Sequence, residues 1–186
     1  PEAPEPGAIA AAAELLRGAA PGALFLGGAA LYGEGLRLAG RIARATGAVL
    51  LCETGFARLE TGAGLPVVRR LPYFPEQAQA LLDGFAHVIG IGARRPVSFF
   101  GWPGKPSRYL DGRPGVVWAA GPEADVLAAL EELADALGAR ADDPGALHDP
   151  PEAPEGRLDG GKIAAVLARL LPDGAIPQST RRLLSR

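Results

Sequence analysis

The chain has 186 residues, of which 48% are hydrophobic, and its formal net charge at pH 7 is −2. This length is enough for one substantial hydrophobic core, and the small net charge excludes a field that would gather nucleic acid or an anionic membrane. One cysteine excludes an internal disulfide, and no apolar run reaches the ~20 residues of a membrane helix. We therefore expect a protein of the reducing cytoplasm with neither a nucleic-acid nor a membrane partner.

Short apolar runs predict buried strands, and amphipathic segments between them predict helices. Glycines and prolines mark where most of these elements begin or end. The predicted strands cover residues 23–26, 48–52, 87–91 and 116–119. The predicted helices cover residues 9–17, 33–46, 75–83, 123–137 and 162–171, and residues 53–73 are expected to be irregular.

Alternation of strands and helices predicts an α/β fold: a three-layer Rossmann-like domain with a mainly parallel sheet and helices on both faces. The domain is predicted to span residues 9–140. Proline-rich and acidic composition predicts linkers at residues 1–8 and 141–157. Residues 158–186 then begin a further domain that is predicted to be truncated.

Glycines follow two predicted strands at their carboxyl ends, where parallel α/β sheets bind ligands. Gly27 and Gly28 follow the first strand, and Gly92, Ala93 and Arg94 follow the strand at 87–91. Such glycines let the backbone approach a phosphate at a helix N-terminus, but the G-x-G-x-x-G spacing of dinucleotide-binding proteins is not met. Two interpretations stay open, a nucleotide site and tight packing without a ligand, and the second is favoured.

Other candidate residues have simpler interpretations. Glu53 follows the second strand, where an acidic residue would bind a ribose, and it alone supports a nicotinamide-dependent oxidoreductase. Cys52 is expected to be a core thiol, because free cysteines are usually buried. The spacing of His87 and His148 is not that of a metal site. The helix at 33–46 is expected to be amphipathic. Its apolar stripe consists of Leu38, Ile42 and Ala45, and its solvated stripe consists of Arg37, Arg41 and Arg44.

The loop after the strand at 87–91 is unusually apolar. Residues 93–107 contain three aromatic residues, three prolines and three cations. This is more apolar surface than an ordinary solvated turn carries. We expect the loop either to pack on its own domain or to be covered by another one.

Six segments taken together resemble the central domain of thiamine-diphosphate-dependent enzymes. The similarity is to acetolactate synthase large-subunit-like proteins and, more distantly, to benzoylformate decarboxylases. It covers about residues 9–137, and residues 162–176 resemble the opening of the family's pyrophosphate-binding domain. The segments are Leu-Gly-Gly at 26–28, Leu-Cys-Glu-Thr at 51–54, Arg-Leu-Pro-Tyr-Phe-Pro-Glu-Gln at 70–77, Ile-Gly-Ala-Arg at 91–94, Pro-Val-Ser-Phe-Phe at 96–100 and Pro-Gly-Lys-Pro-Ser at 103–107.

The resemblance implies one domain of a three-domain, oligomeric enzyme. In that family, thiamine diphosphate and Mg²⁺ bind between the two outer domains, through a glutamate of one and a Gly-Asp-Gly…Asn motif of the other. This sequence contains no Gly-Asp-Gly and no asparagine. The chain alone is therefore expected to be inactive. Its expected partners are the other domains or subunits of the parent enzyme, which the resemblance implies is a homo-oligomer.

The resemblance also bears on a second cofactor. Some members of the family hold FAD in the central domain, some relatives hold an adenine nucleotide there, and others use the domain as a scaffold. The matching positions are the two glycine-containing turns, which makes Gly27, Gly28, Gly92, Ala93 and Arg94 the candidate cofactor contacts. The leading function is a non-catalytic scaffold domain, and the alternative is a stand-alone module that binds FAD or an adenine nucleotide.

Overall fold

The computed structural model describes residues 7–62, 64–140, 152–172 and 174–176. The strands in these ranges are β1 Gly22–Leu26, β2 Val49–Cys52, β3 Arg69–Arg70, β4 His87–Ile91 and β5 Val116–Ala120. The α-helices there are α1 Ala8–Arg17, α2 Gly33–Thr46, α3 Pro75–Asp83, α4 Val126–Leu137 and α5 Gly160–Leu170. A short 3₁₀ helix, Gly28–Leu31, connects β1 to α2.

The strands form one parallel sheet in the order β3-β2-β1-β4-β5. From β1 the chain moves outward to β2 and β3, then returns to place β4 on the other side of β1. Helices cover both faces, so the predicted three-layer α/β class is confirmed. The reversal of strand order puts a switch point between the carboxyl ends of β1 and β4, which is where such sheets usually bind ligands.

Two hydrophobic cores lie on opposite faces of the sheet. The larger core joins the sheet to α1, α2 and α4, and includes Leu24 and Leu130. The smaller core lies under α3 and includes Phe25 and Leu82. Successive side chains of a strand point to opposite faces, which is why Leu24 and Phe25 belong to different cores.

Trp118 of β5 fixes the position of the strand beside it. Its indole lies against Gly90 of β4, where any Cβ would overlap the ring. The indole Nε1 donates a hydrogen bond to the Ala93 carbonyl oxygen at 2.9 Å, and the Arg95 guanidinium lies 4.8 Å from the ring centre. Gly90 is therefore a packing requirement of the sheet.

Two helices begin at aspartate caps that shift the predicted boundaries. Helix α4 starts at Val126, later than the predicted residue 123, because the Asp125 carboxylate accepts the Ala128 N–H at 3.0 Å. Helix α5 starts before the predicted residue 162, with Asp159 accepting the Lys162 N–H at 2.9 Å. The described residues of 53–73, which exclude residue 63, are irregular as predicted except for β3, which has only two residues and so no detectable periodicity.

Helix α2 differs from its predicted faces in two places. Leu38 and Ile42 are buried as predicted, but Ala45 is exposed, because the buried stripe runs through Gly35 and Gly40 instead. Arg37 and Arg44 are exposed, whereas Arg41 is half-buried. The Arg41 Nη2 donates to the Ala139 carbonyl oxygen at 2.9 Å, so this side chain satisfies backbone acceptors after α4.

Parts of the predicted domain organisation lie outside the described residues. These are most of the two predicted linkers, at 1–6 and 141–151, together with His148, and the end of the predicted second domain at 177–186. The predicted boundaries 1–8, 9–140, 141–157 and 158–186 stay predictions. Among the helices of the described ranges, none is long and apolar enough to cross a membrane.

Candidate functional site

The predicted site residues lie together where β1 and β4 end. Leu26 at the end of β1 pairs with Ile91 at the end of β4. The turns that follow these two strands therefore lie side by side at the carboxyl edge of the sheet. The Gly27 N–H donates to the Ile91 carbonyl oxygen at 3.0 Å. The structure thus brings the five predicted residues to one edge, but their role as cofactor contacts stays a prediction; they are Gly27, Gly28, Gly92, Ala93 and Arg94.

Three of these five residues are buried, and two of them pack against each other. A Cβ on Gly27 would lie 2.5 Å from the Gly92 carbonyl oxygen, and a Cβ on Gly92 would lie 2.5 Å from the Gly27 carbonyl oxygen. Gly92 also has a φ of 67°, which favours glycine. Ala93 is fully buried, whereas Gly28 and Arg94 are exposed. Close contact between two strand ends therefore accounts for Gly27 and Gly92 without a ligand.

A carboxylate from a distant loop caps the amino end of α2. Gly33, the first residue of α2, donates its N–H to Glu60 Oε2 at 2.5 Å, and the N-cap residue Tyr32 provides no side-chain hydrogen bond. The Glu60 N–H donates to the Leu31 carbonyl oxygen at 2.9 Å. The N-terminus of a helix that follows the first strand is the usual place for a ligand phosphate. Here the first amide of that helix bonds to a carboxylate of the same chain.

A second carboxylate engages the neighbouring turn. Glu53 Oε1 accepts the Arg94 N–H at 2.5 Å. The position of Glu53 after β2 is typical of a ribose ligand, but its hydrogen bond holds the turn after β4 instead. The signal for Glu53 was present in the sequence; the role of Glu60 was missed, because its partner is distant along the chain.

Residues 53–60, which we call the edge segment, connect these two carboxylates. Phe56 and Leu59 pack against the larger core, and the Arg58 guanidinium lies 4.9 Å from the centre of the Tyr32 ring. The edge segment is therefore held by packing, by a cation–π contact and by hydrogen bonds at both ends.

Cys52 and His87 show no catalytic arrangement. Burial raises the pKa of the Cys52 thiol to about 12, against a smaller lowering by Arg70, so the reactive thiolate is scarce at neutral pH. His87 Nδ1 is buried and has no hydrogen-bond partner among the described residues. Across the residues that the structure describes, no group of three or more His, Cys, Asp or Glu residues is suited to hold a metal ion.

Aromatic side chains from two loops form an exposed cluster, which we call the aromatic surface. The Tyr73 ring centre lies 5.4 Å from that of Phe74, 5.1 Å from that of Phe99 and 6.4 Å from that of Phe100. These four residues remain 43%, 51%, 58% and 60% exposed, respectively. The apolar loop thus packs partly on its own domain and still leaves much of its aromatic area in solvent.

Backbone and ionic contacts fix the loop that carries half of this surface. The Ser98 N–H donates to the Ser107 carbonyl oxygen at 2.8 Å. Lys105 Nζ lies 3.4 Å from a carboxylate oxygen of Glu76, at the start of α3. This ion pair is exposed and stabilises little, but the loop is closed at its base. The Phe99 and Phe100 rings therefore lie on a loop whose backbone is fixed by a hydrogen bond.

Comparisons with known proteins give one relative and one fold match. No protein-family profile matches the chain. The chain is 45% identical over 171 residues to IlvX, an acetolactate synthase large subunit-like protein of Mycobacterium tuberculosis, in a match that covers 88% of this chain and 32% of that protein. The thiamine diphosphate-dependent 4-hydroxybenzoylformate decarboxylase of Rhodococcus jostii RHA1 matches in fold with a TM-score of 0.68 at 22% identity, covering 95% of this chain and 36% of that one. The chain thus spans about a third of the length of either protein.

Proposed function

We propose that this chain, which is similar in sequence to an acetolactate synthase large subunit-like protein and in fold to a thiamine diphosphate-dependent decarboxylase, is the non-catalytic central domain of a thiamine-diphosphate-dependent enzyme. The parent enzyme would be a carboligase or a decarboxylase. One observation carries the proposal: nearly the whole chain matches only 32% of the length of its relative. Thiamine diphosphate and Mg²⁺ would bind to the other domains of a complete subunit, since this sequence has no Gly-Asp-Gly and no asparagine.

The aromatic surface supports a scaffold role. Aromatic residues are enriched at protein interfaces, and contiguous exposed apolar patches commonly mark interaction sites. Tyr73 and Phe74 come from the loop before α3, and Phe99 and Phe100 come from the loop after β4, so the surface depends on the folded domain. We infer that another domain or subunit of the same enzyme covers it, in a cytoplasmic homo-oligomer.

The isolated chain is expected not to bind thiamine diphosphate. Titration calorimetry with thiamine diphosphate and Mg²⁺ should give only heats of dilution, because this sequence lacks the Gly-Asp-Gly…Asn motif that the resemblance implies for cofactor binding. The complete Rhodococcus jostii decarboxylase, titrated in the same buffer, is the positive control. A dissociation constant in the micromolar range for the isolated chain would contradict the proposal.

Covering of the aromatic surface can be measured by thiol labelling. In Phe100→Cys, the new thiol should react rapidly with a maleimide in the isolated chain, and at least about tenfold more slowly in the complete enzyme, where a neighbouring domain excludes the reagent. The buried Cys52 should contribute little background. Val67→Cys is the control, since Val67 is 48% exposed and is not part of the aromatic surface.

The labelling rates of the two variants show whether another domain or subunit covers the aromatic surface. Protection of the new thiol in Phe100→Cys, together with fast labelling of Val67→Cys, would support an interface at the aromatic surface. Equal labelling of Phe100→Cys in the isolated chain and in the complete enzyme would show that nothing covers this surface.

A further inference from the structure

We propose that the edge segment closes the nucleotide position of this fold with the chain's own carboxylates, so that the domain holds neither FAD nor an adenine nucleotide. The inference concerns the carboxyl edge of the sheet and not the identity of the parent enzyme. It can therefore fail while the proposed scaffold function stands, and the reverse also holds.

The first support is the occupied helix terminus. In a parallel α/β sheet, a ligand phosphate binds to amide groups at the start of the helix that follows the first strand. In this chain the Gly33 amide already bonds to Glu60 at 2.5 Å. The carboxylate also brings a negative charge to the positive end of the helix dipole. Glu60 thus supplies internally both the hydrogen-bond acceptor and the charge that a phosphate would bring.

The second support lies at the next turn, across the switch point. Arg94 could attract an anion through its exposed side chain, but its backbone N–H is bonded to Glu53. A phosphate approaching this edge would meet two carboxylates, and like charges at short range repel. The residues present therefore do not fit a dinucleotide at this edge.

The third support is the burial of the backbone where β1 and β4 end. In nucleotide-binding turns of this kind, glycine allows the backbone to come close to the pyrophosphate. Here Gly27 and Gly92 come close to each other instead, and both are buried. Ala93 has no exposed surface. A ligand could reach these atoms only if the two strand ends separated.

The edge segment is also firmly anchored. Leu59, the neighbour of Glu60, packs on the larger core, and the Glu60 backbone bonds to Leu31. Displacing the Glu60 carboxylate would therefore disturb contacts that stabilise the fold. This distinguishes the edge segment from a mobile loop that a ligand could push aside.

Removing the carboxylate tests the proposal in the full chain. Glu60→Ala should lower the thermal midpoint by about 4 °C, and inorganic phosphate or formate should restore part of the loss by bonding to the freed Gly33 amide. Sodium chloride at equal ionic strength controls for general salt effects. Glu14→Ala removes the same charge from an exposed position on α1 and should leave the midpoint and its anion dependence unchanged.

A milder variant and direct titrations complete the test. Glu60→Gln keeps an oxygen acceptor without the charge, so it should fold and lose less stability than Glu60→Ala. The unmodified chain, titrated with ADP and with FAD, should give no binding heat and no shift of its thermal midpoint. Micromolar binding of either nucleotide would overturn the proposal, as would a loss of stability in Glu60→Ala that neither phosphate nor formate reverses.

Discussion

Replacing Phe25 with alanine is expected to lower the free energy of unfolding by about 4 kcal/mol. Phe25 is fully buried in β1 and belongs to the smaller core, and its ring centre lies 6.1 Å from that of Trp118. Removing the ring would leave a cavity between the sheet and α3. Urea unfolding followed by circular dichroism measures the change.

A matched control separates burial from aromatic character. Phe100→Ala removes the same ring from a side chain that is 60% exposed, so its expected cost is below about 1 kcal/mol. If both variants lost equal stability, the placement of Phe25 in the smaller core would be wrong.

Gly27→Ala should cost about 3 kcal/mol, the second largest effect that we expect. The new Cβ would meet backbone atoms of Gly92 and Ala93, at 2.5 Å and 2.6 Å for the closest pairs. Backbone within a sheet edge cannot rotate away as a flexible side chain can, so β1 and β4 must separate locally. The same urea titration, carried out without any nucleotide, gives the free energy of unfolding.

Gly121→Ala is the control for this substitution. Gly121 follows β5, a Cβ added to it would have no atom within 4 Å, and its φ is not positive. Its replacement should change stability by less than about 0.5 kcal/mol. An unchanged stability of Gly27→Ala would refute the packing explanation and return Gly27 to the candidates for ligand contact.

The layers of the fold were predictable because the strands are short and apolar. Strands β1, β2 and β4 are covered on both faces, and such strands read as continuous apolar runs bounded by turn residues. Strand β3 was not predictable, since Arg69 and Arg70 belong to the sheet only through pairing with β2. The sequence predicts too early a start for α4, because Pro122 is also a good helix-start residue and competes with the aspartate cap at Asp125.

The candidate site was predictable as a location but not as a set of contacts. Strand ends at 26 and 91 placed Gly27 and Gly92 at the same edge. Their mutual contact depends on β4 pairing directly with β1, a neighbour relation that residue patterns along the chain do not encode. The bond from Gly33 to Glu60 spans 27 residues and closes only when the edge segment is folded.

The two tryptophans of the chain lie in different parts of the fold, a half-buried one in the sheet and an exposed one on a loop. Trp118 is held within the sheet by its hydrogen bond to Ala93 and its contact with Gly90, whereas Trp102 is 39% exposed on the loop that carries Phe99 and Phe100. The molecule therefore has two separate optical reporters. In a variant that keeps only Trp118, emission follows the integrity of the sheet; in a variant that keeps only Trp102, quenching by a soluble agent follows access to the loop.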